Sequence, residues 1–266
     1  MRSEKEEKYI ELVKDMRECR ICQGIKAPAY CEDGEYLVND SHGIVSGQEP
    51  DIDRIYVNRW NMWQGSLDAE IMVIGLDFGR VTEGSLDQPE GHRWWEEGIS
   101  GWKSPTDKNL NRIFSEAFGG EFDLTKPCDK LFFTNVACCY RQKKTSGASN
   151  GAWYAFCARR YLGRLIQIIE PRLIVCLGLQ VFESMGYCEN GRILCTDDRK
   201  PEREMSLREL INAKDPYHFE LELGSKRIEI ALAYHPGANM NRNRKDEKDV
   251  RTDWKRIFEL YMQLKN

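Results

Sequence analysis

The chain has 266 residues, 41% hydrophobic and 31% charged, with a net charge of −4. That length suits one large domain or two small ones around a substantial core. No apolar run approaches the roughly eighteen residues a membrane-spanning helix needs, and the acidic balance excludes a global attraction to nucleic acid, leaving local basic loops as the only route to it.

In chain order, MRSEKEEKYIELVKDM is charged and amphipathic and predicts a helix over about residues 4–18. It lacks the apolar core of a signal peptide, so a soluble, cytoplasmic protein is expected, with no membrane contact. The stretch from Gln23 to Asn61 is rich in Gly, Asp, Pro and Ser and has no clear period; it reads as an irregular loop. Ile71–Gly75 (IMVIG) is a short apolar run closed by glycine, as in a buried parallel strand. Asn109–Phe118 places Leu110, Ile113, Phe114, Ala117 and Phe118 on one helical face, with Gly119 as its stop.

Leu131–Val136 (LFFTNV) is a second strand, and residues 152–169 form a long helix ended by Pro171. Leu173–Leu177 (LIVCL) is a third strand, followed by Gly178 and a short helix through Met185. Phe219–Leu223 and Ile228–Ala233 flank Gly224-Ser225 like a hairpin, the second being the last core strand. Val250, Trp254, Ile257, Phe258, Tyr261 and Leu264 mark a closing amphipathic helix. Strands alternating with helices predict a three-layer α/β/α domain with a short parallel four-stranded sheet. The expectation is a single domain over 1–266, monomeric, with an extra helix and loop at about 1–64.

Active sites of such sheets lie at the carboxyl ends of the strands. The first strand runs into Gly75-Leu76-Asp77-Phe78-Gly79, the second ends in Thr134-Asn135, and the last ends in Tyr234-His235-Pro236-Gly237. A lone Asp or Asn after a strand is usually a cap or turn residue. An acid, an amide and an imidazole at three strand ends together point to chemistry.

These segments resemble the uracil-DNA glycosylase superfamily, which carries G-x-D-P-Y, G-x-N-P-G or G-E-A-P-G after its first strand, an Asn at the second, and H-P-S/G after the last. Here GLDFG, TNVACC and HPGANMNRN occur in that order, over a resembling span of about 65–260. Cys157-x-x-Tyr161-Leu162 followed by Pro171-x-x-Ile174-Val175-x-Leu177-Gly178 looks like a further stretch of the iron–sulfur-bearing families 4 and 5, to which the likeness is greatest.

Ten cysteines in a reducing compartment call for metal ligation or burial rather than a disulfide framework. Cys19-x2-Cys22, a long gap, then Cys139 and Cys157 is similar to the ligand set of a [4Fe–4S] cluster in those families. Zinc also takes four thiolates, and Cys138 and Cys31 are the alternative ligands. Cys128, Cys176, Cys188 and Cys195 read as ordinary buried or surface thiols. The cluster implied is structural, pinning the first helix to the loop after the second strand.

The resemblance implies a base flipped from DNA and hydrolysed at its N-glycosidic bond. Asp77 then faces the sugar cation, and His235 donates to the base carbonyl as it becomes anionic. Asn135 reads the pyrimidine edge with one donor and one acceptor, beside the backbone of Leu76; Phe78 is a candidate stacking ring, as are Trp94, Trp95 and Trp102. Arg141, Lys143, Lys144, Arg242 and Arg244 suit phosphates, and Met240 stands where the family places its intercalating wedge. Departures widen the expected substrate. Gly79 occupies the place of a tyrosine that excludes thymine's methyl, Tyr140-Arg141-Gln142-Lys143-Lys144 replaces a proline-rich segment, and Ser104-Pro105-Thr106 stands in for the usual uracil-stacking stretch. The expected partner is therefore DNA containing uracil or a damaged base. The alternative is a non-catalytic nucleic-acid or nucleotide-binding module of the same fold.

Overall fold

The structure is a computed structural model that describes residues 3–19, 37–38, 66–77, 105–118, 130–137, 140–141, 151–196, 205–213, 217–237 and 247–265. In chain order these form α1 (Glu4–Glu18), β1 (Leu37–Val38), β2 (Ile71–Gly75), α2 (Pro105–Ala117), β3 (Leu131–Asn135), β4 (Tyr140–Arg141) and α3 (Gly151–Cys157). A π-helical turn (Ala158–Leu162) leads into α4 (Gly163–Ile169), β5 (Leu173–Leu177), α5 (Leu179–Met185), β6 (Gly191–Cys195), α6 (Leu207–Asn212), β7 (Phe219–Leu223), β8 (Lys226–Ala233) and α7 (Glu247–Lys265).

The main sheet has the order β3-β2-β5-β8-β7-β6. Its first four strands run parallel, in the registers Ile71↔Leu131, Ile71↔Leu173 and Leu173↔Glu229. The expected four parallel strands are therefore contiguous, but the sheet has six strands rather than four. Two antiparallel strands, β7 and β6, extend it beyond β8. The hairpin β7–β8 turns through Gly224-Ser225, with Gly224 at φ 63°, the left-handed conformation a two-residue turn needs at its first position. A small second sheet pairs β1 with β4, Leu37 opposite Arg141. The stretch read as irregular from Gln23 to Asn61 thus contributes a strand, one that periodicity over two residues cannot reveal.

Every residue of β2, β3 and β5 is buried, because helices cover both faces. One face carries Met72, Ile74, Phe132 and Ile174 under α1, α3, the π turn, α4 and α5, whose contributions include Leu12, Trp153, Tyr161 and Met185. The other carries Val73, Phe133 and Val175 under α2 and α7, through Phe114, Trp254 and Tyr261. Each such side chain taken from water stabilises the fold by about 1.5–3 kcal/mol before conformational entropy is subtracted.

α1 begins with a reciprocal cap, Ser3 Oγ accepting from the Glu6 N–H and the Glu6 carboxylate accepting from the Ser3 N–H. It is tied to the body by Lys5, whose ammonium donates to the Leu67 and Ile169 carbonyls at 2.9 and 3.2 Å and to Asp68 at 2.9 Å. Arg164 adds a 2.6 Å ion pair to Asp15. The helix expected over 152–169 runs from Gly151 to Ile169 with the π turn inside it. It stops at Glu170, in the left-handed region at φ 57°, just before Pro171. No described helix is long and apolar enough to cross a membrane.

Candidate active site

The parallel register delivers three strand ends to one edge of the sheet. Asn135 is the last residue of β3, level with Gly75, and is 3% exposed. Asp77 follows β2 by two residues, and His235 follows β8 by two. Parallel pairing continues past β2, with the Val136 N–H donating to the Gly75 carbonyl and the Ala137 N–H to that of Leu76, both at 2.9 Å. The main chain of half-buried Leu76 is thereby fixed. Between the two flanking strands, β5 ends at Gly178. Its φ of 114° is open to glycine and strained for other residues, and apart from its chain neighbours no atom of the described residues lies within 4 Å of where a Cβ would stand.

His235 Nδ1 accepts a 3.1 Å hydrogen bond from the backbone N–H of Gly237. A backbone amide can only donate, so Nδ1 carries no proton and the neutral ring holds its proton on Nε2. Burial of the ring among surrounding protein atoms pushes its pKa below the ordinary imidazole value, against the opposing pull of Asp77. The residue is nonetheless exposed: protein atoms crowd one side of the ring and water reaches the other. Asp77 thus lies close enough to His235 for its charge to act on the ring.

Two helices reach the strand ends from opposite faces, through residues that sequence reasoning missed as site residues. From α3, the hydroxyl of Tyr154 donates to Asp77 Oδ2 at 2.8 Å. From α2, Asn109 Nδ2 donates to the carbonyls of Pro236 and Gly237 at 2.9 and 3.2 Å, holding the backbone that carries His235. Periodicity gives Tyr154 a core position and Asn109 a helix position, and nothing local names their partners.

Of the expected base and DNA contacts, Phe78, Lys143, Lys144, Met240, Arg242 and Arg244 lie outside the described residues, as do Trp94, Trp95 and Trp102. Arg141 lies in β4.

Among the expected thiolate ligands, Cys22 and Cys139 are outside the described residues, together with the alternatives Cys31 and Cys138. Cys19 caps α1, its N–H donating to the Met16 carbonyl at 3.3 Å. Cys157 ends α3, buried at 4% exposure. Tyr161, one turn past Cys157, contacts Cys19: burial raises its phenol pKa most, and the Cys19 sulfur raises it further against the pull of Arg160. Arg160, stacked 5.6 Å over the Tyr161 ring, also feels Cys19. One turn before Cys157, the buried Trp153 Nε1 has no hydrogen-bond partner among the described residues. The Cys19 sulfur at Tyr161, a nearby cation and the unpaired buried N–H of Trp153 would suit thiolate ligation of a group that accepts hydrogen bonds. Among the described residues no three metal-binding side chains gather in one place. Cys176 and Cys188 are buried thiols; burial pushes Cys188 up to about 12 and Cys176 higher still, so neither supplies a thiolate.

A sheet covered on both faces, with an acid, an amide and an imidazole at the carboxyl ends of its parallel strands, defines an α/β protein whose candidate site lies at those ends. The sequence profile of the Uracil DNA glycosylase superfamily matches residues 62–258, and the chain belongs to that superfamily. No curated protein sequence matches it.

Proposed function

We propose that this protein is a DNA glycosylase that flips out uracil or a related damaged base and hydrolyses its N-glycosidic bond. The observation that carries the reading is the His235 tautomer opposite Asp77: Gly237 holds the ring so that Nε2–H is the available donor, and an acid lies within electrostatic reach. Superfamily membership supports it.

In the reaction the C1′–N bond breaks with its electron pair leaving on the base. His235 Nε2–H donates to the base oxygen where that charge collects. The Asp77 carboxylate faces the cationic sugar and accepts a proton from the water whose oxygen bonds to C1′. Asn135 reads the pyrimidine edge, and the main chain of Leu76 lines it. Arg141, Lys143, Lys144, Arg242 and Arg244 serve phosphates, and Met240 fills the gap left in the stack.

Cys19, Cys22, Cys139 and Cys157 would hold a [4Fe–4S] cluster of the kind found in the iron–sulfur-bearing families. Its support is the Cys19–Tyr161–Cys157 neighbourhood and the orphaned Trp153 N–H. Such a group supplies cross-linking rather than redox chemistry, joining α1 to the segment after β3 and to α3. Brown protein absorbing broadly near about 400 nm bears this out, and colourless anaerobic protein with stoichiometric zinc replaces iron by zinc.

The decisive experiment incubates anaerobically purified protein with uracil-containing oligonucleotides and scores alkali-labile abasic sites. Cleavage above the background of Asp77→Asn is expected. Equal backgrounds on every base tested would leave a binding module of the same fold.

A further inference from the structure

Asp77 stands on main chain that is held as far as Leu76, but its own two side-chain torsions are not fixed by that pairing. Fixing them needs a partner whose position is set elsewhere. Tyr154 qualifies. Its ring is 2% exposed and sits in the core beneath the sheet, so the hydroxyl is placed by packing rather than by solvent. Tyrosine has only two torsions, and a buried ring in a close-packed interior holds both. The 2.8 Å hydrogen bond to Asp77 Oδ2 then transmits that rigidity to the carboxylate, and a hydrogen bond to a charged acceptor is about twice as strong as a neutral one.

We propose that Tyr154 is a positioning residue for the Asp77 carboxylate. The helix that carries it is the same one that ends in Cys157, so α3 connects the reaction centre to the thiolate region through three residues of helix. This rests on the glycosylase reading of Asp77. Tyr154 touches no substrate in that reading; its hydroxyl selects which rotamer of Asp77 faces the sugar. Misplacement of a reacting group by about 1 Å can cost roughly 100-fold in rate. A phenylalanine in its place keeps the ring and the packing and removes only the donor.

The test is a four-protein cycle of wild type, Tyr154→Phe, Asp77→Ala and the double variant, on a duplex oligonucleotide carrying one uracil. Single-turnover rates at saturating protein are measured alongside binding to a duplex with a tetrahydrofuran abasic analogue, and thermal midpoints check folding. Tyr154→Phe is expected to lower the single-turnover rate by roughly 10- to 100-fold while analogue binding stays within about twofold, and to add nothing in the Asp77→Ala background, where no carboxylate remains to be placed. A Tyr154→Phe rate equal to wild type overturns the positioning role alone. So does an equal fall in both backgrounds, which would make the hydroxyl a support of the fold. Wild type no faster than Asp77→Ala overturns the glycosylase reading itself, and the positioning role with it.

Discussion

The two halves of the main sheet solve different problems. In the parallel half, β2, β3 and β5 are buried along their whole length. The polar side chains of these three strands, Thr134 and Asn135, lie at the carboxyl end of β3, the end of the sheet at which Asp77 follows β2 and His235 follows β8. In the antiparallel half, β7 alternates buried and half-buried residues and β6 is nowhere fully buried. Charges line its seam with β8, as in Arg227 with Glu220 and Glu222, and His218 with Glu229. Strands covered on both faces must satisfy their polar groups at their ends, which concentrates chemistry there. A half-covered edge disperses polarity, and its charges serve solubility and pairing.

Substitutions at the strand ends should separate chemistry from folding most sharply. Asp77→Asn is expected to lower single-turnover cleavage by ~10²–10⁴-fold with DNA binding nearly intact, because the carboxylate acts on the charged transition state. His235→Ala is expected to cost ~2–4 kcal/mol in the same rate, the range for a lost donor to a developing anion. Neither should move the denaturation midpoint much. Next comes the core beneath them. Ile174→Ala in β5, at 0% exposure, should destabilise by ~2–5 kcal/mol, whereas Ile193→Ala in half-buried β6 should cost well under half of that. Urea midpoints compare the two; equal losses would show the edge to be as tightly packed as the centre.

The same contrast explains what could be read from the sequence. IMVIG, LFFTN and LIVCL were recognisable because burial on both faces leaves unbroken apolar runs. β6, GRILC, was missed: Arg192 interrupts it and its burial follows no period. Asp77, Asn135 and His235 were legible as a set because strand ends give their positions. Tyr154 and Asn109 were not, since their partners lie 77 and 127 residues away and their helices look ordinary locally. The Cys19–Tyr161 contact likewise depends on how α1 packs on the long helix, which spacing alone does not give.

Acidity should act on the two halves with opposite signs. Burial lowers the His235 pKa in the folded protein, so the unfolded chain takes up its proton first. Stability from this site is retained above the ordinary value of 6.5 and lost as pH falls from there through the folded value. At the edge, burial raises the Glu229 pKa above 4.5, with Glu220 adding to the rise and His218 opposing it. That group keeps the folded state favoured below 4.5 and loses the advantage as pH rises through its folded value. His235→Ala should flatten the acid-side loss below 6.5, and Glu229→Gln should flatten the decline above 4.5 and match or exceed wild type at neutral pH. Chemical denaturation across pH measures both; parallel slopes for the two variants would break the contrast.

The smallest effect is expected from Arg227→Ala. Its guanidinium lies 3.6 Å from Glu220 and 3.9 Å from Glu222, on a side chain 60% exposed. Exposed ion pairs of this kind contribute about 0–1 kcal/mol and weaken with salt. The upper part of that range applies here, because Glu220 Oε2 is buried with no hydrogen-bond donor among the described residues and has the Arg227 guanidinium 3.6 Å away. Arg227→Met keeps most of the stem and isolates the charge, so it should lose nearly as much as alanine if charge matters more than packing. Cleavage should not change. Arg227 lies near the amino end of β8 and His235 beyond its carboxyl end, eight residues and so roughly 26 Å of strand apart. At that distance the effects of Arg227→Ala and His235→Ala should add within about 0.5 kcal/mol. A cleavage defect in Arg227→Ala, or a clear departure from additivity, would mean that the edge does more than carry charge and that the two halves of the sheet act as one.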